Sequence, residues 1–540
     1  MSNQLNLFPV STSKDITKKS FTKTDLTNET IDKLSNYDLN MYTQDIKTLG
    51  LFNTWNIIYN YITQFKNSNN LLNLSNLGDL YELGLAIKDK MQKKATGQYY
   101  TPNDVANVMA QWLYSGKGEN ICDVGCGTGK LILAYLELIG KENALNLIHE
   151  GKIYLYDIDY LALQICKTSI MVKYSIKDNT LIHDTHCDFL CDNIKLPKNS
   201  KVISNPPYAA IKEFDTNWKQ TNILLDTKEL YAAFMEKIIT QSESSVIISP
   251  FSFISGNKFF SLRKKMSDTG TGFIIAFDNV PGNIFCGKKQ GIFNTNTANS
   301  VRAAITIFNK NTKEKGFKIA PLIRFKHEER NKLLRNNVLE SVLPENLQTI
   351  DKNNTAFKKI NKDLENIFYA WENNSKYKLK DIISKEKTDY LIDMPNTCRY
   401  FTTGSHRKLK RTGSIELYIK EKKFYNFLYC FINSSFTYWW WRIYDGGITY
   451  SKSLLLNIPL PLNLLSRNDE IFFENICNKM IQEEDNHIIT KLNAGVIQEN
   501  IKFPEKYRNE INKKILSIIG FNVEQNIFSK IHANYFTEAK

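Results

Sequence analysis

The stretch from Ile121 to Ile139 constrains the fold most. Ile121-Cys122-Asp123-Val124 reads as a strand, Gly125-Cys126-Gly127-Thr128-Gly129 as a glycine-rich turn, and Lys130 to Ile139 as a helix. The glycines let the backbone approach a ligand, and a new helix offers free N–H groups beside it. Such a turn occurs in many nucleotide-binding α/β folds, so alone it does not name the ligand. The last glycine falls two residues after Gly127, not three, which argues against a dinucleotide fingerprint. No Gly-Lys-Ser/Thr ending follows, which argues against a phosphate-clamping loop.

The same alternation continues downstream. A second strand, Ile153 to Tyr156, ends in Asp157-Ile158-Asp159, and a carboxylate there can grip both hydroxyls of a ribose. A helix follows over Leu161 to Tyr174. Asp188 can accept from an adenine amino group, and Phe189 can cover the ring. The apolar run Lys201-Val202-Ile203-Ser204 then reads as the end of a buried strand, stopped by Asn205-Pro206-Pro207-Tyr208. That turn offers an amide oxygen, a rigid carbonyl at Pro206 and a flat ring at Tyr208. Two acceptors and a ring suit a planar group bearing an NH2. Strands at Val246–Ser249, Phe273–Phe277 and Ala303–Phe308, with helices between, complete a doubly wound pattern. The long loop from Asp278 to Ser300 carries Phe285, Lys288 and Lys289.

Upstream, Gly97-Gln98-Tyr99-Tyr100-Thr101-Pro102 leads into a helix from Val105, with Asn103 or Asp104 as its cap. Three regions are expected in the 540 residues: a partly disordered helical arm over 1–94, an α/β domain over 95–314 and a further domain over 315–540. The last holds a basic loop, Arg407-Lys408-Leu409-Lys410-Arg411, expected on DNA phosphates. It also holds Tyr438-Trp439-Trp440-Trp441-Arg442, which reads chiefly as core. A formal charge of +14 suits a polyanionic partner. No apolar run is long enough to span a bilayer, and no secretory signal opens the sequence, so no membrane and a cytoplasmic location are expected. The nine scattered cysteines suggest reduced core thiols. His183, His186, Cys187 and Cys191 fit no familiar zinc spacing, and no metal is expected.

Together, Gly97 to Pro102, Asp123 to Gly129, Asp157, Asp188-Phe189-Leu190 and Asn205 to Tyr208 resemble the gamma class of DNA adenine-N6 methyltransferases, the TaqI-like enzymes of type II restriction-modification systems. The resemblance covers residues 90 to 310, and the C-terminal region only in position and size. It implies a Rossmann-like methyltransferase sheet with a mixed α+β DNA-recognition domain, and S-adenosylmethionine as cofactor. Gly97, Thr101 and Pro102 would line its methionine end, Asp123, Gly125 and Gly127 its cradle, Asp157 its ribose, and Asp188 and Phe189 its adenine. Asn205 and Pro206 would accept from N6 of a flipped-out adenine, Tyr208 would stack on that base, and Phe285 would close its other side. The implied partner is double-stranded DNA. The implied setting is a bacterial cytoplasm, with a monomeric enzyme protecting sites from a separate cognate endonuclease. Two alternatives stay open: a modification subunit of a multisubunit restriction enzyme, and a methyltransferase acting on RNA bases or protein glutamine.

Overall fold

The first strand, β1 (Asn120–Val124), is buried from Ile121 onward, with Ile121, Cys122 and Val124 apolar and Asp123 a buried carboxylate between them. It lies between β2 (Ile153–Asp157) and β4 (Ser200–Ser204), parallel to both, and β3 (Ile182–His186) pairs beyond β2. Val124 stands opposite Tyr156 on one side and Ser204 on the other, so the three strands end level. The turns that follow them therefore stand side by side at one edge of the sheet. The computed structural model describes residues 101–286, 301–310, 312–398, 400–444, 449–493, 495–522 and 526–535. The arm expected over 1–94, Gly97, Lys288 and Lys289 lie outside the described residues.

Beyond β4 the sheet continues through β5 (Ser244–Pro250), then β7 (Ala303–Lys310), antiparallel between β5 and β6 (Gly270–Phe277). Side chains alternate between two cores, as the period of a strand requires. Ile121, Ile153 and Ile203 face α1 (Asn103–Tyr114), α2 (Lys130–Leu138), α3 (Lys141–His149) and α4 (Tyr160–Tyr174). Cys122, Val124 and Val202 face α5 (Leu230–Gln241) and α6 (Phe260–Thr269). Helix α1 begins at Asn103 after Pro102, so the cap expected from Asn103 or Asp104 is not made; Asp104 serves an arginine instead, described below.

One expectation is corrected. The sheet does not close near Phe308. β8 (Gly316–Ile319) pairs with β6, β9 (Ile323–Phe325) pairs with the end of β6 at Phe277, and β16 (Ala533–Tyr535) pairs with β9. These strands have four, three and three residues, too short to leave a periodic signal.

The remaining chain builds a third core. It is formed by α7 (Glu365–Asn374), α8 (Lys422–Ile432), α9 (Ser435–Tyr444), α10 (Arg467–Glu483) and α11 (Glu505–Ile518). Three two-stranded pairs accompany them: β10 (Tyr377–Lys378) with β13 (Pro459–Leu460), β11 (Leu391–Pro395) with β12 (Ser414–Tyr418), and β14 (Ile488–Asn493) with β15 (Val496–Ile501). The tryptophans are core: Trp371 stacks on Trp439 at 5.6 Å, and Trp441 on Tyr450 at 5.3 Å. A buried cation fastens this core to the sheet: Lys359 Nζ reaches Ser255 Oγ at 3.3 Å and the Ile443 carbonyl at 2.9 Å. Buried Arg263 holds the chain that leads to it, through the Phe253 and Thr355 carbonyls.

Trp371→Ala removes the centre of the third core. It is expected to lower unfolding free energy by about 3–5 kcal/mol, measured by chemical denaturation. A loss under about 1 kcal/mol would mean that the stack is not the centre of that core.

Candidate active site

Each level strand end contributes one part. After β1, Gly125, Gly127 and Gly129 take left-handed backbone angles, with φ of 69°, 52° and 89°. At Gly129 there is a second reason for glycine: a Cβ there would lie 2.5 Å from Cys166 Sγ on α4. The turn is tied to β2. The Tyr156 carbonyl accepts from the Gly125 and Cys126 N–H groups at 2.8 and 3.1 Å, and Asp157 Oδ2 accepts from Gly127 at 2.7 Å. Asp157 Oδ1 accepts from the Asp159 N–H at 2.8 Å. A carboxylate has about four acceptor positions, so acceptor capacity remains for a hydroxyl beyond these N–H groups. Burial pushes the Asp157 carboxyl up to about 6 against the pull of those N–H groups.

Asp123 lies wholly buried beneath the first turn of α2. Its Oδ2 accepts from the Ile132 N–H at 3.1 Å, whereas Oδ1 has no hydrogen-bond partner among the described residues. Burial, reinforced by the nearby charge of Asp157, pushes its carboxyl up to about 8. The space above the turn is open: a Cβ on Gly125 would meet only the Asn205 carbonyl oxygen, at 3.7 Å. An orphaned buried oxygen, an open glycine cradle and a carboxylate with spare lone pairs fit an adenosyl cofactor.

Asp188 and Phe189 follow β3. Asp188 adjoins the cradle but its oxygens accept from the Leu190 N–H at 2.9 Å and Trp218 Nε1 at 2.8 Å. The Phe189 ring does not reach the cleft. It is 3% exposed and packs between Tyr156 and Phe234, with Lys237 Nζ 4.7 Å above it. Lys237 also donates to the Phe189 and Cys191 carbonyls at 2.5 and 2.7 Å, holding this loop. The apolar side chain presented at this edge is Ile158, 46% exposed. Its signal in the sequence was an isoleucine between two aspartates at a strand end.

The turn after β4 meets the cradle directly. Ser204 Oγ donates to the Val124 carbonyl at 2.6 Å, locking the two strand ends. Asn205 Nδ2 donates to Thr101 Oγ1 at 3.0 Å, which fixes the turn of the amide and directs its oxygen the other way. Thr101, expected on the cofactor, is thus also a positioning residue for Asn205. Tyr208 donates its hydroxyl to the Ile248 carbonyl at 3.1 Å, and its ring meets Phe285 edge to face, 5.7 Å between centroids. The structure thus brings Tyr208 and Phe285 together, with no room yet for a base between them. Phe285 is seated by Arg330, which sequence reasoning missed. Buried Arg330 grips Asp104 with two nitrogens, at 2.5 and 2.9 Å, and donates to the Asn283 and Ile284 carbonyls.

The basic loop divides. Arg411 is 3% exposed and donates to Asp393 Oδ2 at 2.6 Å, so its charge is spent inside; its expected role on DNA is corrected. Arg407 pairs with Asp485, and Lys408 with Glu416 at 2.6 Å, both on the surface; Lys410 is exposed. Buried Glu484 anchors the loop's start. Burial pushes its carboxyl up, but donation from His406, Ser405 and Tyr429 holds it below the ordinary glutamate value. His183 stacks on Tyr154 at 4.5 Å, and His186 meets Tyr160 and the Ile158 carbonyl. Among the described residues no group of three or more His, Cys, Asp or Glu is placed to hold a metal ion.

The sequence profile of the family described as N-6 DNA Methylase matches residues 73–396. The Type I restriction enzyme MpnII methylase subunit of Mycoplasma pneumoniae is 22% identical over 295 residues, 49% of this chain and 50% of that protein. The Type I restriction enzyme EcoEI methylase subunit of Escherichia coli is 22% identical over 230 residues, 40% of this chain and 45% of that protein. The chain thus spans about half the length of the curated relatives it matches. Among solved structures, a nuclease-deletion mutant of the Type ISP restriction-modification enzyme LlaGI, in complex with a DNA substrate mimic, shares 13% identity. Its TM-score is 0.43, over 85% of this chain and 64% of that one.

The raised carboxyl of Asp157 predicts a pH dependence. Its folded-state value lies above the ordinary 3.8, so it takes up a proton as pH falls through about 6 and loses an acceptor. Affinity for S-adenosylmethionine is expected to fall about tenfold between pH 7.5 and 5, a tenfold step being worth about 1.4 kcal/mol. Asp157→Asn should bind more weakly at pH 7.5 and lose most of that slope, as read by calorimetry.

Proposed function

The chain belongs to the N-6 DNA methylase family, and from that premise we propose that it transfers a methyl group from S-adenosylmethionine to N6 of an adenine flipped out of double-stranded DNA. One observation carries the reading: the Asn205 turn and the glycine cradle abut, at 3.7 Å from a Cβ on Gly125 to the Asn205 carbonyl, so donor and acceptor sites share one wall.

The residues support this chemistry. Asp157 accepts from the ribose hydroxyls, and the cradle of Gly125 and Gly127, above Asp123, takes the rest of the cofactor. Ile158, rather than the Phe189 ring, covers the adenine beside Asp188. When bound, the cofactor supplies a sulfonium methyl that is already activated. Asn205 Oδ1 and the Pro206 carbonyl accept the two N6 hydrogens and favour a pyramidal nitrogen with an available lone pair. Thr101 keeps the Asn205 amide turned for that task. Positioning then lowers most of the barrier. Tyr208 stacks on the flipped base, and Phe285 withdraws to admit it and closes the far side.

Residues 95–314, completed by β8, β9 and β16, form the catalytic domain in this reading, and the third core forms the target-recognition domain. The enzyme acts in a bacterial cytoplasm and protects sites from a separate endonuclease. A second reading is favoured by the relatives named as methylase subunits: a modification subunit that needs a specificity partner. RNA-base or glutamine methylation finds less support, because neither needs the large third core.

Asn205→Ala is expected to abolish single-turnover methylation of DNA while leaving cofactor affinity within about twofold. A near-normal rate would overturn its role. Tyr208→Ala should cost about 1–3 kcal/mol of base binding. Tyr208→Phe should cost about 1 kcal/mol, from the lost hydrogen bond to Ile248. Equal damage by both would mean that the hydroxyl, not the ring, does the work. Adenine methylation by this chain alone in a methylation-free host, read by long-read sequencing, separates the stand-alone enzyme from the subunit.

A further inference from the structure

Among the described residues the β14–β15 ribbon pairs with no other strand, yet it is not loose. The basic loop braces its middle, at Gln498 and Glu499. Glu499 donates its N–H to the Lys410 carbonyl at 2.7 Å, and Lys410 donates its own N–H to Glu499 Oε2 at 2.8 Å. Gln498 Oε1 accepts from the Thr412 N–H at 2.9 Å. Loop and ribbon are therefore one unit, and the loop is itself fixed from within by Asp393 and Glu484.

The end of the ribbon is apolar and in water. Leu492 is 74% exposed, Ile497 opposite it 49%, and Val496 43%. A solvated hairpin has no need of three aliphatic side chains there, and burying them is favourable by about 25 cal/mol per Å². Cross-strand partners share a face, so Leu492 and Ile497 lie on one side of the ribbon, and Lys491 and Gln498 on the other. Lys410, Lys491 and Lys502 are exposed and make no ion pair among the described residues. The neighbouring acids are engaged: Asp485 with Arg407, Glu416 with Lys408, and Glu499 with the Lys410 N–H.

The chain that leads into the unit starts from the sheet: Arg324, the middle residue of β9, stands 5.0 Å from the Tyr400 ring, five residues before Ser405.

We infer that the β14–β15 ribbon is a groove-reading element for double-stranded DNA, with the 406–410 loop seated on the flanking phosphates. This rests on the DNA-methylation reading. A two-stranded ribbon fits the major groove. The face of Leu492 and Ile497 meets thymine methyls or a base step, and Lys491, on the opposite face, reaches the phosphates of the groove wall. Lone lysines beside it complement a polyanion better than the mixed charge of a protein partner.

The test uses the full chain in a methylation-free host, with long-read sequencing of host DNA. The triple variant Lys491→Gln, Leu492→Thr, Ile497→Thr keeps strand-favouring residues. It is expected to relax the methylated motif, raising methylation of single-mismatch sites at least tenfold relative to the full site, with cofactor affinity within twofold. An unchanged motif with unchanged discrimination overturns the inference. A second measurement needs no variant. Acetylation of Lys491 in the wild-type protein, read by mass spectrometry, should slow at least fivefold with motif-bearing duplex present. Equal labelling with and without duplex overturns the inference, including the case where the ribbon docks a protein instead. Wild-type protein that, alone, methylates no adenine removes only the stand-alone reading, and none even with a specificity partner co-expressed sinks DNA methylation; lysine protection by plain duplex decides the ribbon in either case.

Discussion

Everything functional hangs from one line: the level ends of β4, β1 and β2. Parallel pairing puts Val124 opposite both Tyr156 and Ser204, and a slip of one residue would turn each strand's side chains to the wrong core. With that register fixed, three separate turns become neighbours. Asp157 then pins the glycine turn through the Gly127 N–H, and Ser204 ties β4 to β1. The site is thus built from short hydrogen bonds across strand ends.

That line was legible in the sequence because its signals are local. A buried strand followed by glycines, a strand ending in Asp157, and a strand stopped by two prolines each declare themselves within a few residues. What was not legible depends on partners far away along the chain. Phe189 and Ile158 are both apolar residues beside aspartates, and only the third dimension decides which ring or branch turns inward. Arg411 looked like its cationic neighbours because nothing nearby announces Asp393. Arg330 seats Phe285 through Asp104, two residues that no spacing rule connects. Strands β8, β9 and β16 are shorter than any pattern can register.

The buried charges share a logic. Arg330, Arg411, Arg263 and Glu484 are each surrounded by several partners, mostly backbone groups or an opposite charge. A buried ion is costly unless so satisfied, and it tolerates few alternative geometries. Such groups sit where an irregular segment must hold one shape: the Phe285 turn, the two ends of the basic loop, and the junction of the cores.

The late arrival of β16 has a consequence for how such a chain is made. Its partner β9 is synthesised well before it, so the edge of the sheet stays open while the whole third core is being translated. The ribosome delivers residues at about 5–20 per second, and an uncovered edge is a template for stray pairing. Only when Ala533–Tyr535 emerges can that edge be sealed. The catalytic sheet therefore matures after the region proposed to choose its target, an order of assembly written into strand connectivity.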